Sequence, residues 1–258
     1  MSKVRIVKIG GNIINDPEAL EGFLDSFSAL NGSLILVHGG GKKATELAKA
    51  MQVETKMIGG RRVTDSQTLE IVTMVYAGLI NKNIVASLQS KGVNAIGLTG
   101  ADGNVIKAHK RIVKDIDYGF AGDIDKVDQD TLNGWLQQGL TPVFSAITHD
   151  KKGQLLNTNA DTIAASLAKA IADLYEVELI YCFEKKGVLL DVSDDNSVIE
   201  RIDSDYYAEL KEEGIIAEGM LPKMHNCFDA LKGGVSKVII GQAEMLGDPE
   251  MKYTSLVL

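Results

Sequence analysis

The sequence predicts an α/β fold: an open, mainly parallel sheet with helices on both faces, an α/β/α sandwich. Three observations carry this. Six short, mostly continuous apolar runs recur along the chain, as strands buried on both faces require. Amphipathic helical patterns separate them. Polar and glycine-rich residues cluster where the runs end, which is where an open α/β sheet keeps its crevice.

The runs are Val4–Ile9, Leu34–His38, Asn94–Thr99, Pro142–Ile147, Glu178–Cys182 and Lys237–Gly241. Between the first two, Asp16 is placed to cap a helix, Pro17 suits its first turn, and Leu20, Phe23, Leu24, Phe27 and Leu30 share one face. A helix through Ala44, Leu47 and Ala48 follows the second run. A longer one starts after Asp65 or Ser66, with Leu69, Val72, Val75, Tyr76, Leu79 and Ile80 as its inward stripe and Gly92 closing the region. Its face with Ile71, Met74, Ala77 and Gly78 is also apolar, so this helix is the expected element of a homodimer. Gly139 ends a helix through Leu132, Trp135 and Leu136, while Ala160–Ile171 and Lys223–Leu231 are later helices. Asn104–Val113 is more polar and reads as an edge hairpin strand, and Asp115–Val127 as a loop containing Gly119 and Gly122. A lobe boundary is expected near Ala172–Glu176, giving lobes 1–172 and 173–258 that pack closely.

Composition narrows the function classes. Of 258 residues, 45% are hydrophobic and 24% charged, which excludes disorder and fibrous classes. The net charge of −8 argues against nucleic acid as a partner. No apolar run approaches the ~20 residues of a membrane span, and the start, Met1-Ser2-Lys3-Val4-Arg5, has no apolar leader core. No membrane partner and a cytoplasmic location are therefore expected. The two cysteines, Cys182 and Cys227, lack metal-ligand spacing and read as core thiols.

The chemistry-bearing residues sit at the run ends. Lys8-Ile9-Gly10-Gly11-Asn12 puts a lysine at the end of a buried strand, costly unless it meets an anion. His38-Gly39-Gly40-Gly41 is a strand-to-helix turn with free N–H groups, neither a Walker A loop nor a dinucleotide fingerprint. His38 itself reads as a hydrogen-bonded structural histidine. Gly59-Gly60-Arg61-Arg62-Val63-Thr64-Asp65 can present an arginine fork to a carboxylate, or be an exposed basic loop. Asn157-Thr158-Asn159-Ala160-Asp161 can cap a helix or orient a polar substrate. Lys223, taken alone, reads as a solvated lysine.

In order, these segments resemble the amino-acid kinase family, and within it the branch acting on N-acylated glutamate. Gly97-Leu98-Thr99-Gly100-Ala101-Asp102-Gly103-Asn104, Asp117-Tyr118-Gly119-Phe120-Ala121-Gly122-Asp123 and Gly219-Met220-Leu221-Pro222-Lys223 extend the likeness over nearly the whole chain. The resemblance implies an N-terminal lobe for N-acylglutamate and dimerisation and a C-terminal lobe for ATP. It implies Lys8 and Lys223 on the transferring phosphoryl group, organised by Asp161. It places Gly11 and Gly40 on phosphate oxygens, and Gly10, Glu184, Lys185, Lys186, Gly187, Val188, Leu189, Ile215, Ile216 and Ala217 around the nucleotide. Gly40, Gly41, Arg62, Asn157 and Asn159 would hold the acylated amino acid. Mg²⁺ would ride on the ATP phosphates, with no protein ligand named.

Two departures stand out. Phe183-Glu184 replaces the family's usual Thr/Ser-Asp pair, and Arg61 stands where an apolar residue is common. The expected activity is phosphorylation of the γ-carboxylate of N-acetyl-L-glutamate in arginine biosynthesis. N-succinylglutamate is the alternative substrate, aspartate or carbamate kinase another enzyme reading, and a non-catalytic ligand sensor the alternative class. Members with arginine feedback carry an extra N-terminal helix, so a homodimer without that feedback is expected.

Overall fold

The computed structural model describes residues 1–258 except 114, 217–219 and 249, and the side chain of residue 222. An eight-stranded sheet runs through the whole chain. Its order is Arg201–Ile202, Thr254–Leu256, Lys237–Gln242, Glu176–Phe183, Lys3–Ile9, Ser33–His38, Thr141–Ser145 and Ala95–Leu98. The six strands read from the sequence run parallel to one another. Toward one edge Thr254–Leu256 runs antiparallel to Lys237–Gln242, and Arg201–Ile202, parallel to Thr254–Leu256, is the outermost strand. Lys3–Ile9 lies at the centre, paired on one side with Ser33–His38 and on the other with Glu176–Phe183.

The helices form as their sequences require. Asp16 caps Pro17–Ser28, its carboxylate accepting from the N–H groups of Glu18 and Ala19. That helix packs on one face beside the long helix Ser66–Ser90, and Lys91 pairs there with Glu21 and Asp25. The long helix is apolar and long enough to cross a membrane, but Val72, Ile84 and Leu88 bury it in the core. On the other face Ala160–Ile171 packs between Gln129–Gln137 and Leu221–Lys232.

Three local expectations are corrected. Leu79 is 50% exposed rather than part of the inward stripe, and Ile71 is buried rather than on the second face. For Leu79 the reason is a π-helical segment, Met74–Ile80, whose wider turns shift the register within the helix; Ile71 lies before it, in regular helix with Leu69 and Val72 also buried. Asp115–Val127 is not all loop: Gly122–Val127 is a strand, antiparallel to Ile106–Lys110. It belongs to a second sheet, completed by Ile147–His149 and Leu155–Asn157. Gly122 is there for close approach, since a Cβ would lie 2.5 Å from Thr158 Oγ1. Finally, Pro142–Ile147 is two strands, because the chain leaves the large sheet after Ser145 and enters the second at Ile147.

Candidate active site

Three elements end at one edge of the sheet and bring the charged groups together. Lys8 is the penultimate residue of Lys3–Ile9, and its register neighbours are Val37 and Tyr181. After Ile9 the chain turns at Gly10 into the short helix Gly11–Asn15, whose first N–H groups have no partner within the helix. Asp161 sits in the first turn of Ala160–Ile171, and Lys223 in the first turn of Leu221–Lys232.

Lys8 Nζ lies 2.6 Å from Asp161 Oδ1, and the two side chains are only 12% and 13% exposed. Asp161 Oδ1 is buried and makes no directed hydrogen bond among the described residues, so the lysine charge is what compensates it. Lys223 carries its ammonium 3.7 Å from the centre of the Phe183 ring. Burial pushes the Lys223 pKa down, Asp161 opposes that shift, and Lys8 adds to it.

Lys8 and Lys223 line a cavity of about 680 Å³, within the size range of nucleotide and cofactor sites. Of the residues expected at the nucleotide, Gly10, Gly11, Glu184, Lys185, Gly187 and Val188 line it, and so do Leu189, Ile215 and Ile216. Lys186 and Gly40 do not, and Ala217 lies outside the described residues. Sequence reasoning missed Asn12, Asp16 and Gln242, which also line the cavity. Gln242 ends a parallel strand, so the rule about carboxyl ends of strands would have found it. Its amide donates to the Glu184 carbonyl at 2.8 Å. The Asn12 amide donates to the Glu184 carboxylate, and Lys42 donates to Asn12 Oδ1 at 2.6 Å, which links the glycine turns to the nucleotide side.

A second cluster forms around the turn after Ser33–His38. Gly40 admits no side chain, because a Cβ would lie 2.4 Å from Ile80 Cδ1 and 2.8 Å from Tyr76 Cδ1. The Arg62 guanidinium turns into this turn, donating to the Gly41 carbonyl at 2.9 Å and to Thr45 Oγ1 at 2.8 Å. Asn157 joins through Thr64, its amide donating to Thr64 Oγ1 at 3.0 Å. Asn159 instead caps its own helix, its Oδ1 accepting from the Thr162 N–H at 3.0 Å. Arg61, next along its strand, points elsewhere, into a cavity of about 510 Å³ with His109, Arg111, Tyr118 and Asp123.

His38 is structural, as its setting in the sequence predicts. Its Nδ1–H donates to the Gly39 carbonyl at 2.8 Å and its Nε2 accepts from the Asn81 amide at 3.1 Å. Complete burial pushes its pKa down to about 4. The folded value lies below the free value of about 6.5. Stability held above that pH is therefore lost as pH falls through the folded pKa. A proton NMR titration of the His38 ring is expected to show a midpoint near 4; a midpoint at the free value would overturn the neutral, doubly bonded ring.

The family model described as "Amino acid kinase family" matches residues 3–242. The chain belongs to the amino acid kinase family. It is 54% identical over 246 residues to the acetylglutamate kinase of Phocaeicola vulgatus, covering 95% of this chain and 96% of that one. It is 57% identical over 247 residues to the acetylglutamate kinase of Cytophaga hutchinsonii, covering 95% and 94%. Among solved structures, a Streptococcus mutans protein superposes with a TM-score of 0.78 at 26% identity, over 98% of both chains. A Giardia lamblia carbamate kinase bound to AMP-PNP superposes with a TM-score of 0.71 at 12% identity, covering 99% of this chain and 98% of that one, and shows the shared fold alone. The amino acid kinase sheet is the frame on which Lys8, Asp161 and Lys223 are brought together.

Proposed function

We propose that the chain transfers the γ-phosphoryl group of ATP to the γ-carboxylate of N-acetyl-L-glutamate, the step of arginine biosynthesis that its acetylglutamate kinase relatives are named for. The observation that carries this is the convergence of Lys8, held by Asp161, and Lys223 on the wall of one nucleotide-sized cavity, beside the Gly10-Gly11 turn.

The chemistry fits these groups. A γ-carboxylate with a pKa near ~4.3 is ionised at neutral pH, so no general base is needed. A carboxylate oxygen bonds to the γ-phosphorus while the bond from phosphorus to the β,γ-bridging oxygen breaks, and ADP leaves with that electron pair. What the protein supplies is alignment and compensation of charge on the moving group. Lys8 and Lys223 meet that charge, Asp161 holds Lys8, and the Gly10-Gly11 turn offers backbone N–H groups. Arg62 takes the α-carboxylate at the Gly40-Gly41 turn, with Asn157 behind it. Mg²⁺, which keeps mostly water and phosphate ligands in such sites, would ride on the nucleotide phosphates. In this reading residues 1–172 serve the acceptor and residues 173–258 the nucleotide. Exposed Met74 and Leu79 on the long helix support a homodimer. Two buried free thiols suit a reducing cytoplasm.

The test is a panel of glutamate, N-acetylglutamate, N-succinylglutamate, aspartate and carbamate with MgATP and hydroxylamine, which traps acyl phosphates as coloured hydroxamates. N-acetylglutamate is expected to give product. ADP and hydroxamate from none of them would turn the reading to a ligand sensor. Arg62→Lys keeps the charge but loses the fork, and is expected to raise KM for the acceptor about ten-fold with KM for ATP unchanged. An unchanged acceptor KM would remove Arg62 from the site.

One observation favours a second reading. In the smaller cavity Asp123 pairs with Arg111, whereas Arg61 has no ion-pair partner among the described residues. A succinyl group would bring a carboxylate to it. In that case N-succinylglutamate is the better substrate, and Arg61→Leu shifts preference toward N-acetylglutamate. Unaltered preference rules this reading out.

A further inference from the structure

Phe183 ends the strand Glu176–Phe183 and forms part of the cavity wall. Its ring faces the ammonium groups of both site lysines, with Lys223 Nζ 3.7 Å and Lys8 Nζ 5.7 Å from its centre. Tyr181, two residues earlier on the same strand face, stacks on it with centroids 6.0 Å apart and planes 2° from parallel. The Tyr181 hydroxyl is itself tied down, donating to the Asp161 backbone carbonyl at 3.1 Å. The ring position is thus fixed from the same helix start that supplies the Asp161 carboxylate.

The charges near this ring are unequally served. Asp161 pairs with Lys8 at 2.6 Å, and no carboxylate lies within ion-pair distance of Lys223 among the described residues. Two ammonium groups share one carboxylate in a partly desolvated wall, so Lys223 is drawn toward solvent unless something else attracts it. The negative face of an aromatic ring does that without adding charge to a site that must receive phosphate. A carboxylate in the same place would repel the nucleotide, and an aliphatic side chain would offer no attraction.

We propose that Phe183 is a positioning residue, whose ring face holds Lys223, and more weakly Lys8, at the phosphoryl-transfer site before phosphate arrives. This rests on the reading of the two lysines as the groups that meet the transferring phosphoryl. In this role Phe183 acts through the lysines.

The experiment compares Phe183→Leu with Phe183→Tyr in the full-length protein, using MgATP, N-acetylglutamate and hydroxylamine. Leu keeps an apolar wall without a π face, and Tyr keeps the face. Phe183→Leu is expected to lower kcat about ten-fold while both KM values stay within about two-fold. Because the ring favours the ammonium form, its loss also moves the basic limb of the rate profile to lower pH. Phe183→Tyr is expected to keep kcat within about two-fold of the parent. Wild-type kcat and pH limb in the Leu variant would overturn the proposal, as would a Tyr variant as impaired as Leu. Thermal melting comes first; if Phe183→Leu melts early, Phe183→Met takes its place with the same expectations. Absence of hydroxamate from the unmodified protein would overturn the kinase reading instead. NMR titration of ¹³C-labelled lysines then still decides about Phe183: a Lys223 pKa that does not fall in the Leu variant rejects it.

Discussion

Lys8→Ala and Lys223→Ala are each expected to lower kcat by about 10²–10³, the loss seen when one preorganised charge is withdrawn from a transition state. The acceptor and ATP KM values should move far less, because charge shifts between the phosphoryl oxygens only as the bond breaks. The two variants differ in stability. Lys8→Ala strands Asp161 Oδ1 in a nearly closed setting without its ion-pair partner, leaving only the more distant Lys223 charge, a penalty on the order of 1–3 kcal/mol. Lys223→Ala removes an ammonium whose burial already disfavours its charge, so it melts close to the parent. The same burial sets the pH dependence. The Lys223 pKa is lowered, so the charged form that catalysis needs is lost, as pH rises, below the ordinary lysine value of about 10.4. Steady-state kinetics with a pH profile and a melting curve check all three points. Near-parental kcat in either variant removes that lysine from the mechanism.

Gly119→Ala is expected to destabilise the protein by about 3 kcal/mol or more, and to weaken acceptor binding in whatever folds. Gly119 has φ +66°, and a Cβ there would lie 2.1 Å from the Thr64 carbonyl oxygen and 2.8 Å from its carbon. These are backbone atoms and cannot rotate aside. The left-handed conformation alone costs an L-residue ~1–2 kcal/mol. The crossing that would be forced open is where the site is held together. The Phe120 N–H donates to the Thr64 carbonyl at 2.6 Å, the Thr64 N–H donates to the Tyr118 carbonyl at 3.0 Å, and the Asn157 N–H donates to the Phe120 carbonyl at 2.9 Å. Thr64 stands two residues after Arg62 and receives the Asn157 amide. Denaturant unfolding read beside the acceptor KM tests this; parental stability would mean the crossing yields more easily than the contact distances imply.

Much of this was legible in the sequence, for a physical reason. Strands buried on both faces leave unbroken apolar runs, and the six parallel strands were read from such runs. Asp16 and Gly139 marked helix ends because caps and left-handed exits need those residue types. Gly122–Val127 was not legible, since a strand lying half in solvent carries Asp and Lys and imitates a loop. Leu79 was misplaced because a helical wheel assumes constant pitch, and Met74–Ile80 winds more loosely. In the site, the glycine turns and charged residues announced themselves by their cost outside a ligand's company. Lys223 did so only with its neighbours in order along the chain, for a lysine after a proline carries no signal alone. Phe183 looked like a departure from pattern, and its meaning depends on where two lysines from distant elements place their ammonium groups.

The central strand Lys3–Ile9 is flanked directly by Ser33–His38 and by Glu176–Phe183. The turn proposed to seat the acceptor leaves one neighbour, and the segment proposed to seat the nucleotide leaves the other. Adjacent strands stand ~4.8 Å apart wherever a ladder is intact, so the gap between the two seats is measured out in backbone rungs rather than in loop length. Loops around this edge can drift to suit another acyl group or another base without altering the reach of the phosphoryl jump. Only a change in sheet twist or pairing would alter it, and such a change would have to rebuild the hydrogen bonds of the core. On the proposed assignment the fold works as a fixed-gauge track, with the choice of cargo and the geometry of transfer set by separate parts of the chain.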